Sequence, residues 1–304
     1  MIKRFVKNNY FMEEFMMSLN CKLALSTCNK DINEDLFRNY AENDIEAMEI
    51  SPSFEECEKL DFLSLKRWAE QYNVDLWSFH LPFAPFDKID ISNPNLARQT
   101  VKMFKDYINK ANDIGIKVFV VHSSGEPIED SEREDRILCA KNSLKELAEY
   151  ATEVGCIIAV EDLPRTCLGN CSAEILELIS AHKNLRVCFD TNHLLHEEIP
   201  VFIKNIGDRI ITTHISDYDF INERHWLPGE GSIDWVSVIS LLEEVGYDGY
   251  WLYEIGLETP WSIERNRELT YTDFRDNYIS LMRKEIPYVI GKPKNKLGMW
   301  SIMS

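Results

Sequence analysis

The chain contains no apolar stretch approaching the ~20 residues that a membrane-spanning helix requires. It also lacks the pattern of a secretory leader. The opening MIKRFVKNNYFMEEFMMSLN starts basic and partly apolar, but Glu13 and Glu14 interrupt it and no small-residue cleavage site follows. Residues 1–21 therefore read as an N-terminal arm or helix, with Met12, Met16 and Met17 as further candidate starts. Positive charge is scarce, with 33 Lys and Arg against 51 Asp and Glu, giving a formal net charge of -18. Proteins that grip phosphodiester backbones gain much of their affinity from basic patches, so no nucleic-acid partner is expected. An anionic membrane surface is disfavoured for the same reason. The eight cysteines are not dense and show no paired zinc-ribbon spacing. Cys156 and Cys188 sit inside apolar runs, where a thiol acts as a small hydrophobe. Cys167 and Cys171 form a C-x3-C in a loop, better read as structural than as a metal or redox pair. A reduced, cytoplasmic protein is expected.

What the chain does have is enough apolar content, 45% over 304 residues, to bury one large core. Short β-branched runs alternate with longer amphipathic ones. The strand candidates are Lys22–Thr27, Ile45–Ile50, Val74–His80, Ile116–His122, Cys156–Glu161, Leu185–Asp190, Arg209–His214 and Gly249–Glu254. Helical patterns such as Leu96–Ile114 and Arg136–Val154 lie between them, with apolar residues three and four apart. Strand and helix alternating eight times predict a (β/α)8 TIM barrel over residues 22–290, followed by a basic tail, 291–304. An open doubly wound sheet would share the alternation, but no Gly-rich phosphate turn follows the first strand.

The polar residues fall in a telling place. His80, His122, Glu161, Asp190, His214 and Glu254 each close a strand candidate, and Glu49 stands one residue before the end of another. In a barrel those ends meet at one face, around one pocket. Singly, each has a plainer reading: a strand-end His is often a hydrogen-bonded structural residue, and a carboxylate before a helix is often an N-cap. Jointly, Glu161, Asp190, His214 and Glu254 are expected to bind one divalent metal ion. Three carboxylates crowded together repel one another unless a cation neutralises them. Three carboxylates and one imidazole suit Mn²⁺, Zn²⁺, Mg²⁺, Co²⁺ or Fe²⁺ and lack the thiolates of a structural zinc site. His193 follows Asp190 closely enough to point back over the mouth, and Asp217 is expected to orient a metal ligand from behind. The polar, Gly-rich loop Glu223–Gly231 would close over a small ligand, with Arg224 facing an anionic or hydroxylated group; its plainer reading is a surface turn.

At these residues a family resemblance becomes specific. The segments VEDLP (160–164), CFDTNH (188–193), HISD (214–217), RHWLPGEGSIDW (224–235) and YEI (253–255) resemble the sugar phosphate isomerase/epimerase superfamily. That group of xylose isomerase-like barrels includes ketose 3-epimerases and inosose dehydratases and is related to endonuclease IV. The resemblance implies that Glu161, Asp190, His214 and Glu254 ligate the metal, and that His193 and Arg224 approach substrate. One departure stands out: the family's Glu-Asn after the fifth strand is Glu161-Asp162 here, which adds a charge beside the site.

The implied activity is isomerisation or epimerisation of a small-molecule sugar or polyol through an enediolate, within carbohydrate metabolism. Glu161 and Glu254 are expected to exchange the proton, with His80, His122, His193, Arg224 and His225 holding substrate. A lyase acting on an inosose or 3-keto-glycoside would use the same chemistry. A second alternative is an endonuclease IV-like phosphodiesterase. The resemblance to that enzyme's three-zinc cluster falls on His80, His122, Glu161, Asp190, His193, His214, His225 and Glu254, with Glu223 in place of an aspartate. A homodimer is compatible with the sequence but not required by it.

Overall fold

The computed structural model describes Leu19 and residues 21–294. The expected arm, 1–21, and tail, 291–304, lie largely outside the described residues. Eight parallel strands run β1 (Leu23–Ser26), β2 (Ala47–Ile50), β3 (Asp75–His80), β4 (Val118–His122), β5 (Ile157–Glu161), β6 (Arg186–Asp190), β7 (Ile210–His214) and β8 (Trp251–Tyr253). Hydrogen bonding links them in the order β7-β6-β5-β4-β3-β2-β1-β8. A bridge between Ile215 and Tyr253 brings β7 against β8 and nearly closes the ring. The fold is a (β/α)8 TIM barrel, and each strand lies within the span its sequence predicts, trimmed at one or both ends.

Helices α1 (Glu34–Glu42), α2 (Phe54–Cys57), α3 (Phe62–Tyr72), α4 (Ala97–Asp113), α5 (Arg133–Glu153), α6 (Ser172–Ile179), α7 (Ile199–Ile206), α8 (Trp235–Glu244) and α9 (Tyr271–Met282) occupy the connections and the end. Among the described helices, none is long and apolar enough to cross a membrane. Starts are set by local chemistry. Asn33, Asp61 and Asp234 accept backbone N–H groups at the first turns of α1, α3 and α8. Thr270 and Asp273 form a reciprocal cap on α9.

Side-chain alternation along each strand sorts the core into two parts. Phe79, Phe119, Val121, Ile158, Val160, Val187 and Phe189 face the helices within the main apolar cluster. Their neighbours Val118, Val120, Ala159 and Cys188 form a separate small cluster, and Ala24, Ala47 and Leu252 form another; Trp77 packs against both. Trp77 satisfies its indole N–H on Thr212 at 3.0 Å. Continue that second face toward the strand ends and the next residues are Glu49, His80, His122, Glu161, Asp190 and His214. Register sets their heights: His122 is level with Glu161 and Asp190 with His214, while Glu161 pairs with Cys188, two residues before Asp190 on the same face. Period two and parallel pairing thus deliver the polar set to one mouth.

Beyond the ring, Gly291–Pro293 (β10) pairs antiparallel with Ile263–Arg265 (β9). The Arg265 side chain is fully buried against Glu230, 2.6 Å away, which ties this ribbon to the loop after β7. A lone charge left there would have no solvent to fall back on. Arg265→Leu is therefore expected to destabilise the fold by about 3–5 kcal/mol, measured as a lower denaturant midpoint. An unchanged midpoint would show the pair to be dispensable.

Candidate functional site

Glu161 stands at the centre of the mouth. Its Oε1 lies 3.0 Å from His214 Nδ1, while its Oε2 lies 3.0 Å from His80 Nε2 and 3.1 Å from His122 Nε2. The two carboxylate oxygens therefore face different imidazole groups. Asp190 Oδ2 and Glu254 Oε2 complete the first side, at 3.9 and 3.5 Å from His214 Nδ1. Ligand atoms of Glu161, Asp190, His214 and Glu254 all fall within 4.8 Å of one another.

Such crowding needs compensation. Burial works to raise the Glu161 carboxyl, but the charges of His214 and His122 outweigh it and hold it well below the usual range. Burial drives the Asp190 carboxyl well above its ordinary value, with Glu254 and Glu161 adding to the rise and His193 opposing it. Asp162, beside Glu161, is pushed up to about 8, chiefly by burial. Burial alone would lower His214, yet the surrounding acids raise it well above the ordinary imidazole value.

These residues fit a divalent ion. Asp190 Oδ2 is buried with no hydrogen-bond partner, an oxygen otherwise costly to leave bare. It belongs to a set of oxygens and one imidazole nitrogen, the donor types that hard and borderline divalent metals accept. Four further groups gather to the same tolerance among the described residues: His80 with His122 and Glu161, His193 with Glu223 and His225, His80 with His214 and Glu254, and Glu161 with Cys188 and His214.

A cavity of about 950 Å³ opens over this cluster, with Glu161 and Glu254 in its wall. Among the groups expected to meet substrate, His122, His193, Arg224 and His225 line it, whereas His80 is buried and does not. The His193 ring spans Asp162 O, at 2.7 Å from Nδ1, and Glu223 Oε1, at 3.0 Å from Nε2. His225 Nδ1 lies 3.2 Å from Glu254 O. The Arg224 guanidinium bonds Asp219 at 3.1–3.2 Å. Glu223 is held down at about 2; burial opposes this, but His193 and Arg165 win.

The loop after β7 owes its shape to Asp217. This buried carboxylate accepts from the backbone N–H groups of Tyr218, Gly229, Ser232 and Ile233 and from the Trp235 indole, at 2.7–3.2 Å. It thus braces the loop and does not orient a metal ligand as its position suggested. Gly231 packs so tightly on Asp217 and the Tyr218 carbonyl that a Cβ has no room. The loop Glu223–Gly231 is therefore an anchored element with Trp226, Leu227, Pro228 and Glu230 buried, not a plain surface turn, and it carries Glu223, Arg224 and His225 to the mouth. Cys167 and Cys171 are both free thiols, and burial pushes Cys167 up to about 12.

One role emerges only from the coordinates. Glu49 is fully buried on β2 and takes His214 Nε2 at 3.1 Å, with Ser26 and Ser78 donating to it at 3.2 and 2.9 Å. That arrangement turns His214 Nδ1 toward the acidic cluster, as an outer carboxylate does for a metal-binding imidazole. A strand-end glutamate was visible in the sequence; its partner 165 positions away was not.

Comparison with known proteins gives four informative matches. Residues 37–272 match the family described as xylose isomerase-like TIM barrel. An uncharacterised protein of Methanocaldococcus jannaschii is 30% identical over 224 residues, 69% of this chain and 74% of its own. A probable endonuclease 4 of Thermoplasma acidophilum is 25% identical over 202 residues, 60% of this chain and 67% of its own. A solved structure described as a D-tagatose 3-epimerase-like protein superposes with a TM-score of 0.67 at 26% identity, covering 76% of this chain and 89% of that one.

If Glu49 aims His214, Glu49→Gln should weaken Mn²⁺ binding by about 10–100-fold in titration calorimetry. An unaltered Kd would reduce Glu49 to a core hydrogen-bonding group.

Proposed function

The chain belongs to the xylose isomerase-like TIM barrel family, and from that premise we propose a divalent-metal-dependent isomerase or epimerase of a sugar or sugar-like polyol. The observation that carries this reading is the convergence of Glu161, Asp190, His214 and Glu254 under one cavity. A divalent ion, when bound by these four, supplies Lewis acidity toward a substrate carbonyl and its neighbouring hydroxyl. Glu161 and Glu254 are the carboxylates we assign to proton transfer, because both line the cavity and so reach a substrate carbon. One accepts the proton from the carbon beside the carbonyl, and the other returns a proton to the enediolate. Return to the opposite face of the same carbon inverts its configuration; return to the neighbouring carbon moves the carbonyl. His193, His225 and Arg224 steady substrate oxygens from the cavity wall, and His122 holds Glu161 from the side away from His214. Kinetics test the roles directly. Glu161→Gln and Glu254→Gln should each lower kcat by at least about 100-fold, the low end of what a positioned acid or base contributes. Near-normal turnover in either variant would remove that residue from the mechanism.

A second reading has its own observation. The groups His80–His122–Glu161 and His193–Glu223–His225 flank the central four, and Glu161 turns one oxygen to the first of them and the other to His214. Three ions so arranged would suit phosphodiester hydrolysis. Against this stand the net charge of -18 and the partners already holding the two arginines of the wall. Metal analysis of purified protein separates the two readings. One tightly held ion per chain is the expected result; three zinc ions, with cleavage of abasic duplex DNA, would establish the hydrolase instead.

A further inference from the structure

Beyond the reacting centre, the cavity wall has a chemistry of its own. Five glutamates and two arginines line it. Neither arginine is idle. Arg165 bonds Glu126 at 2.9 Å and Asn222 at 3.0 Å and also pairs with Glu223; Arg224 sits on Asp219. A phosphate entering here would have to break an existing ion pair and face the remaining carboxylates. A bound divalent ion narrows that imbalance without creating a phosphate cradle.

Aromatic surface takes the place of free cations. Phe83, Phe86 and Trp261 line the cavity yet stay 39%, 37% and 56% exposed. Apolar surface left open in a cleft marks a ligand or partner contact. These rings are held in position. Phe83 stacks on His122 with centroids 4.3 Å apart and planes 20° apart. Phe86 lies over Gly125, where any Cβ would come within 2.6 Å of the ring. The turn bearing Trp261 is anchored next door, where Ser262 accepts the Trp226 indole N–H at 3.0 Å. The volume points the same way: about 950 Å³ sits at the upper end of the ~300–1,000 Å³ of pockets for drug-sized ligands. A bare monosaccharide leaves much of that space, and so much of this aromatic surface, uncovered.

We propose that the substrate is a non-phosphorylated sugar bearing an apolar or aromatic substituent, which lies on Phe83, Phe86 and Trp261 while the sugar reaches the acidic cluster. This rests on the isomerase reading and specifies its substrate class. The test is titration calorimetry on metal-loaded protein with D-fructose, D-fructose 6-phosphate, and the 1-O-benzyl and 6-O-benzyl ethers of D-fructose. At least one benzyl ether should bind about tenfold tighter than D-fructose, through ring stacking and apolar burial. The phosphate should bind at least about tenfold weaker than D-fructose. In Trp261→Ala and Phe83→Ala, both changes on exposed rings, the benzyl advantage should fall below about threefold in at least one variant. Equal affinity for D-fructose and both ethers, tighter binding of the phosphate, or a benzyl advantage untouched by both substitutions overturns this substrate class and leaves the isomerase reading standing. Binding of none of the four sugars overturns both together.

Discussion

Glu161 is a buried carboxylate asked to serve neighbours on two sides, and the rest of the mouth follows from that demand. One of its oxygens faces His214, the other His80 and His122. A carboxylate taken out of water needs such partners, because desolvation alone would neutralise it. The same imidazoles that hold Glu161 ionised do not also satisfy Asp190, whose carboxyl burial drives the other way and whose Oδ2 has no hydrogen-bond partner. Without a cation the two carboxyls are pulled in opposite directions, Glu161 toward its ionised form and Asp190 toward its neutral one. A divalent charge among the four groups would remove that conflict, since it favours the ionised form of every carboxylate at once.

The barrel makes this concentration of polar groups tolerable by surrounding it with rigid supports. Strand alternation puts Val120, Ala159 and Cys188 directly beneath the polar layer on the same face, so the cluster rests on packed apolar side chains. Glu49 fixes the far nitrogen of His214, and Asp217 gathers five donors to hold the loop after β7. Neither carboxylate is in the set that would meet a metal. Both spend their hydrogen bonds on geometry, which is what a site of several like charges needs if its spacing is to survive thermal motion.

Much of this was legible in the sequence because it depends on short-range periodicity. Eight β-branched runs, separated by helical patterns, specify the barrel. The barrel then converts strand ends into neighbours, so Glu161, Asp190, His214 and Glu254 could be grouped before any coordinate was known. Side-chain partnerships in loops were less accessible. Asp217 follows His214 by three residues, and nothing in that spacing reveals that its oxygens turn toward Gly229 and Trp235. Arg224 sits in a loop that suggested an open substrate contact, but Asp219, five residues earlier, engages it. The shelf of Phe83, Phe86 and Trp261 joins segments far apart in the chain, and exposure of an aromatic ring depends on what the tertiary fold leaves uncovered.

The ligand set and the activity are separable properties of this fold. The same acids and imidazoles suit proton transfer on a polyol or, with more ions, attack on a phosphodiester. What differs is the surface a substrate must cross. Phosphodiester binding calls for cations that can exchange their partners for phosphate oxygens. Here Arg165 is clamped between Glu126 and Glu223, so releasing it would expose two carboxylates to the incoming anion. Each phosphate would thus meet more repulsion as it gained a contact. A neutral sugar meets no such penalty: its hydroxyls can donate to these carboxylates while its apolar parts pack on the rings. The wall, more than the cluster below it, therefore selects the chemistry that reaches Glu161.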